Sequence, residues 1–402
     1  MKYVMVVGDG MADFPIEALN GQTPLSFLKP DGFARIGGGT VGRLLSCPEM
    51  LPPGSDVAFL TLFGNDTEAC YNGRSPLEAA GMGINMVEGE VAFRLNMAAI
   101  TDDGYPNGKM LSHNGGGIEG EDAYALITDL INDEIFRGMM DRLGMRIAPT
   151  DTFRHVAIMP GDMHRYTLTP PHDIVGQPID KYLPNDQDIL ALMARSFEVL
   201  NHHPINEKRR KENKLPANSA WLWGAGSAYI LDDFTKKYGM QGTAISAVPL
   251  VKGIAALGKL KVPDVEGATG LLDTNYQGKV DTAISALQNG DDFALVHIEA
   301  PDEMSHDGSL ENKLEAIRRV NDLVVNPLFE QLPALGDFKM MLLPDHYTLL
   351  STRTHDGTPV PYAIYDSRHE SAPKPFTEAE ASNYAILQSG DALLKKFFEQ
   401  EA

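Results

Sequence analysis

Three apolar runs along the chain each stop at an aspartate. Residues 293–298 (Phe-Ala-Leu-Val-His-Ile) read as a buried strand, and Glu299-Ala-Pro-Asp302-Glu-Met-Ser-His306 follows directly. A helix beginning near Pro301 would set Asp302 and His306, four residues apart, on one face. The β-rich run Lys2-Tyr-Val-Met-Val-Val-Gly ends in Asp9-Gly10. Phe338-Lys-Met-Met-Leu-Leu runs into Pro344-Asp345-His346, with Thr354-His355 shortly after. If these strands are parallel, their carboxyl ends lie on one sheet edge, the edge where ligands bind in α/β folds.

The intervening pattern predicts an α/β rhythm broken by a different segment. Thr23-Pro-Leu-Ser-Phe-Leu predicts a helix start, and the glycines of residues 36–42 predict a surface turn. Leu51-Pro-Pro-Gly54 stops an extended segment, and the apolar run after Ser55 predicts a helix. Gly73–Gly81 predicts a short helix carrying Arg74, and residues 89–100 a strand. Mixed signals continue to about residue 200. Strands are then expected at Ser219–Trp223 and from Thr243, with helices from Leu250, at 309–329 and near Asp391–Gln400. This order predicts one domain inserted into a loop of another. Residues 1–88 and 217–402 would form the α/β domain and residues 89–216 an inserted α+β cap, with hinges near 86–89 and 215–219.

With 402 residues, 43% of them apolar, the chain can bury two or three cores. A net charge of −21 argues against nucleic acid, which needs a basic surface, but not against a small anion held by local cations. Two cysteines, Cys47 and Cys70, without a CxxC spacing fit a reducing compartment. No apolar run reaches the roughly 18–20 residues of a membrane span. A cytoplasmic protein is expected, monomeric or oligomeric.

Asp9, Asp302, His306, Asp345, His346 and His355 supply enough ligands for two divalent ions with an open position on each. Ser55 has two readings: an N-cap, the commonest role for serine at a helix start, or a nucleophile. The positive end of a helix stabilises an alkoxide or a phosphoserine there. Asp13 reads as a solvated turn former. The charge run at 207–212, with Arg209, reads as a solvated helix face.

Asp9-Gly10, Gly54-Ser55-Asp56, Ala300-Pro-Asp302-Glu-Met-Ser-His306, Pro344-Asp345-His346 and Thr354-His355 together resemble the alkaline phosphatase superfamily. More closely, the chain resembles its cofactor-independent phosphoglycerate mutases, in the short archaeal-type branch. The likeness extends through Gly73-Arg74-Ser-Pro-Leu-Glu-Ala, Leu168-Thr-Pro-Pro-His-Asp-Ile174, Trp221-Leu-Trp-Gly-Ala-Gly226 and Thr274-Asn-Tyr-Gln-Gly-Lys279. The resemblance implies an alkaline-phosphatase-like αβα sandwich with two divalent ions. Asp302, His306 and His355 would hold one ion, and Asp9, Asp345, His346 and the Ser55 oxygen the other. Manganese, zinc and magnesium are the family's ions, and the imidazole count favours the first two. Ser55 would carry the phosphoryl group between 3-phosphoglycerate and 2-phosphoglycerate, without 2,3-bisphosphoglycerate. Arg154, Arg209, Lys252 and Arg74 would bind substrate. Domain closure would exclude water.

The branch includes proposed homoserine kinases, and Met11-Ala-Asp13-Phe-Pro15 resembles that subgroup. Phosphoryl transfer from a nucleotide to homoserine is thus a second reading, although the chain lacks a Walker-type or kinase-type glycine loop. A non-catalytic metal-binding protein is the third.

Overall fold

The computed structural model describes residues 1–369 and 371–399. The chain divides into two compact units: Met1–Tyr71 with Ala80–Met82 and Ile230–Ala402, and Asn72–Ala79 with Gly83–Tyr229.

The first unit is built on a seven-stranded sheet. Its order is Ile386–Leu387, Thr40–Leu44, Val360–Asp366, Phe338–Leu343, Lys2–Gly8, Phe293–Ile298 and Gly242–Ile245. The three aspartate-terminated strands are neighbours and parallel, with Val4 opposite both Met340 and Ala294. Every residue of Phe293–Ile298 and Phe338–Leu343 is buried, as continuous apolar strands covered on both faces must be. On one face, Val4, Val6, Val296 and Leu342 pack with Phe33, Val280, Ile317 and Leu328 from helices. On the other, Tyr3 meets Phe397 and Phe398 edge-on, and the Phe59 ring meets His297. This gives the αβα layering expected.

Several local expectations change. The helix expected at 309–329 runs as Leu310–Val320, a π turn at Asn321–Val325 and Asn326–Gln331. Pro327 has no N–H for the carbonyl four residues back, so the ladder loosens there. The surface turn expected of the glycines at 36–42 narrows to Gly38 and Gly39, while Gly37 ends helix Asp31–Gly37 and Gly42 lies in strand Thr40–Leu44. The last helix spans Gly390–Phe398, and Gln400 lies outside the described residues.

The second unit is α+β. Strand Glu90–Ile100 lies between Arg154–Pro160 and Ser219–Ser227, antiparallel to both, with Met110–Ser112 and Arg146–Ala148 outside. Helices Gly120–Asn132, Glu134–Leu143 and Gln187–Leu200 bury Leu126, Phe136 and Leu192 with Phe93 and Trp221. The expected boundaries were misplaced. Ser219–Ser227 pairs with Glu90–Ile100 through Leu222 and Leu95, so it belongs to the insertion. Residues 72–79 join it as well. An apolar strand carries no label for the sheet it will join, and its partner lies more than a hundred residues away. No described helix is long and apolar enough to cross a membrane.

Candidate metal centre

The carboxyl ends of the three parallel strands bring Asp9, Asp302 and Asp345 to one edge. Helix Ala300–His306 begins directly after its strand, with Pro301 in its first turn, and presents Asp302 and His306 four residues apart. The hairpin Tyr347–Leu349 and Thr354–Asp356 follows Asp345-His346 and returns His355 opposite Thr348. Helix Ser55–Leu62 brings Ser55. Its N-cap is Gly54, with no side-chain capping bond, so the capping reading of Ser55 falls away. The Ser55 hydroxyl instead lies 3.2 Å from His346 Nε2.

The hydrogen bonds fix which atom each group presents. Asp9 Oδ2 is 2.9 Å from His297 Nε2, while Asp9 Oδ1 is buried with no partner among the described residues. Asp345 Oδ1 accepts from the Gly10 and His346 amides, while its Oδ2 is likewise orphaned. His306 donates Nδ1–H to the Arg353 carbonyl at 2.9 Å, and His355 donates Nδ1–H to the Pro53 carbonyl at 3.3 Å. Both rings thus turn Nε2 inward, and these atoms face one another at 3.0 Å, so without a metal a proton, held on His306 by Asp302, has to sit there. Two inward-facing imidazole nitrogens and two orphaned carboxylate oxygens are positions that a cation satisfies in place of protons. The donor set therefore fits divalent metal.

Two groups of ligand atoms are close enough to share an ion: Asp9, Asp345 and His346, and Asp302, His346 and His355. His346 falls geometrically in both. Its Nε2 lies 3.2 Å from both Asp345 Oδ2 and the Ser55 hydroxyl, which ties it to the first group. His306 Nε2, 3.2 Å from Asp302 Oδ2, completes the second.

The metal-free electrostatics carry the same demand. Burial, with the charges of Asp345 and Asp302, pushes Asp9 well above the usual carboxylate range. Burial also acts to raise Asp302, but hydrogen bonds with His306 and His355 outweigh it and hold it well below that range. Hydrogen bonding to Asp302 in turn lifts His306 to about 9. Clustered carboxylates that must borrow protons in this way are what a bound cation neutralises.

The second unit holds a separate cationic cluster. Glu78 Oε1 accepts from Arg74 Nε at 3.1 Å and from Arg94 Nη2, and its Oε2 accepts from Arg94 Nε at 2.8 Å. Burial would raise Glu78, but Arg94, Arg74 and Arg154 hold it below its ordinary value. The Arg94 guanidinium lies 4.6 Å from the Trp223 ring centroid, and His172 meets the same indole edge-on. Burial, His172 and Arg154 together depress His113. Three guanidinium groups around one carboxylate leave a local positive excess in a chain of net charge −21.

Of the expected substrate residues, Arg74 and Arg154 join this cluster, and Arg154 is exposed. Arg209 is not on a solvated face: it is buried, donating Nε–H to the Leu215 carbonyl at 2.9 Å and Nη2–H to the Gly115 carbonyl at 2.7 Å. Those bonds tie a loop, and they occupy its fork. Lys252 pairs with Asp264 at 2.6 Å. Asp13, expected in solvent, is buried against Lys313 Nζ at 2.9 Å.

Sequence reasoning passed over Arg94, His113, His297 and Thr348. Arg94 and His297 did carry a signal, as lone basic residues inside apolar strands. Thr348 and His113 carried none.

Comparison with known proteins places the chain among enzymes of one description. The family model for 2,3-bisphosphoglycerate-independent phosphoglycerate mutase matches residues 37–206. A protein so named from Methanosarcina acetivorans is 42% identical over 371 residues, covering 91% of this chain and 90% of its own. A probable mutase of the same name from Geobacter sulfurreducens is 38% identical, with 100% of both chains covered. Among solved structures, a Pyrococcus horikoshii protein matches with TM-score 0.78 and 28% identity, covering 100% of this chain and 98% of that one. A cofactor-independent phosphoglycerate mutase from Thermoplasma acidophilum shares the fold, with TM-score 0.65 at 23% identity and 99% of each chain covered.

Proposed function

We propose a site assignment and mechanism for this chain from one premise: it belongs to the 2,3-bisphosphoglycerate-independent phosphoglycerate mutase family. Its activity is the interconversion of 3-phosphoglycerate and 2-phosphoglycerate. The relatives support this reading over the homoserine kinase alternative, and a serine freed from capping supports it over a passive metal binder.

Asp302, His306 and His355 are assigned to one divalent ion, and Asp9, Asp345, His346 and Ser55 to the other. The ion is assigned as manganese, with zinc next, because three imidazoles are softer donors than magnesium prefers. When bound, the ions lower the pKa of the serine hydroxyl and neutralise charge on the phosphoryl oxygens. Ser55 Oγ attacks phosphorus. The Oγ–P bond forms as the bond from phosphorus to the C3 oxygen breaks, and that oxygen takes up a proton to give glycerate. The 2-hydroxyl then attacks phosphoserine, gives up its proton, and regenerates Ser55.

Arg154 and Arg74 suit the carboxylate of glycerate, since a guanidinium fork matches two oxygens at once. The observation that carries the reading is the Ser55 hydroxyl 3.2 Å from His346 Nε2, beside two orphaned carboxylate oxygens. Ser55→Ala should abolish mutase turnover by at least a thousandfold, on the order of what a lost nucleophile costs, with the fold retained. Near-normal turnover in Ser55→Ala would overturn the covalent route. The assay is coupled detection of 2-phosphoglycerate.

A further inference from the structure

One side chain touches both groups of metal ligands without belonging to either. The Thr348 hydroxyl lies 2.5 Å from Asp302 Oδ1 and 3.1 Å from His346 Nδ1. Threonine has a single hydroxyl proton and two lone pairs. The 2.5 Å contact is that of a hydroxyl donating to a carboxylate, which has no proton to give. That direction consumes the only proton, so toward His346 the oxygen accepts. His346 must then carry its proton on Nδ1 and leave the Nε2 lone pair free. That nitrogen is the one facing Ser55 and Asp345 Oδ2.

The surroundings hold the hydroxyl where it is. Lys313, wholly buried, donates to the Thr348 carbonyl at 2.6 Å and to Asp13 at 2.9 Å, pinning the strand that carries it. Across the hairpin, Thr348 pairs with His355. Above it, Gly10 takes φ +58°, and a Cβ there would come within 2.4 Å of the Thr348 hydroxyl and 2.7 Å of Asp302 Oδ1. The glycine that follows Asp9 is thus required by this contact as well as by its backbone conformation.

We infer that Thr348 is a positioning residue that sets the tautomer of His346 and the orientation of Asp302 together, coupling the two metal sites through one proton chain. The chain reads His346 Nδ1–H to Thr348 Oγ1, and Thr348 Oγ1–H to Asp302 Oδ1. Loss of the hydroxyl frees the His346 proton to sit on Nε2, where it blocks one site, and unpins Asp302 in the other. The inference rests on the metal assignment above.

The test compares Thr348→Val, which keeps the shape and removes the hydroxyl, with Thr348→Ser, which keeps the hydroxyl. Manganese(II) is titrated into each metal-free full-length protein by calorimetry. Imidazole nitrogen-15 shifts of the wild type report the His346 tautomer. Wild-type protein that takes up no manganese contradicts the metal assignment itself and is read separately. Given wild-type uptake, Thr348→Val should bind manganese about 10–100-fold more weakly at both sites, the usual effect of losing a partner that orients a ligand. Thr348→Ser should stay within about threefold, and His346 should be Nδ1-protonated. Wild-type affinity in Thr348→Val overturns the inference, whether or not its melting temperature falls. A His346 protonated on Nε2 in the wild type overturns it as well, even if Thr348→Val does not fold.

Discussion

The two charged regions solve opposite electrostatic problems. At the sheet edge of the first unit, three carboxylates and three imidazoles are aimed inward, with two carboxylate oxygens unmatched by any described donor. In the second unit, three arginines surround one carboxylate, so the excess charge is positive. The first suits a cation and the second, by our proposal, an anion, within a chain that is strongly acidic overall. Net charge therefore says little about either site, because partners within a few ångströms set the local field.

The difference can be broken from either side. The largest expected effect is at the metal edge. His355→Ala removes one of two imidazole nitrogens that face each other, and turnover should fall at least a hundredfold. Manganese at high concentration should restore part of it, read from activity against metal concentration. In the cationic cluster, Arg154→Ala should act on binding. KM for 3-phosphoglycerate should rise about tenfold or more, and stability should move by less than about 0.5 kcal/mol because the side chain is exposed. Arg209→Ala should do the reverse. Its guanidinium holds carbonyls, so a stability loss of about 2 kcal/mol is expected in urea unfolding, with KM within about twofold. A large KM effect from Arg209→Ala would show that the loop, rather than the guanidinium, shapes the anion site.

The smallest effect is a proton count. In metal-free protein Asp302 keeps His306 protonated up to about pH 9. A metal ligand must be neutral, so binding near pH 7 displaces that proton. Manganese affinity should therefore strengthen as pH rises toward 9 and level off above it. Calorimetry in buffers of different ionisation heat should show about one proton released from this group at pH 7. Affinity independent of pH across that window would remove His306 from the ligand set.

Much of the metal edge was legible because parallel strands impose a rule. A strand that ends in aspartate delivers it to the same edge as its parallel neighbours, however distant in sequence, so Asp9, Asp302 and Asp345 could be placed together from pattern alone. The i, i+4 spacing of Asp302 and His306 was legible for the same kind of reason. The insertion gave no such rule. Antiparallel strands find partners by matching faces, and Ser219–Trp223, read as a strand of the α/β domain, carries no mark of the insertion sheet it joins. Arg209 and Arg154 are alike as letters, and only the carbonyls of Leu215 and Gly115 separate a structural arginine from one that joins the Glu78 cluster. Asp13 and Lys313 form a pair across three hundred residues, which no local signal could announce. Thr348 is the sharpest case: its part depends on the direction of one hydroxyl proton, which is a property of its neighbours.

The central claim is that Ser55 carries the phosphoryl group. The direct measurement is rapid acid quench of manganese-loaded protein mixed with 3-phosphoglycerate, followed by mass spectrometry of the peptide that contains Ser55. The account predicts phosphoserine at Ser55, formed and consumed at least as fast as turnover and missing from Ser55→Ala. Turnover with no phosphate on Ser55 at any quench time, together with an active Ser55→Ala, would contradict it.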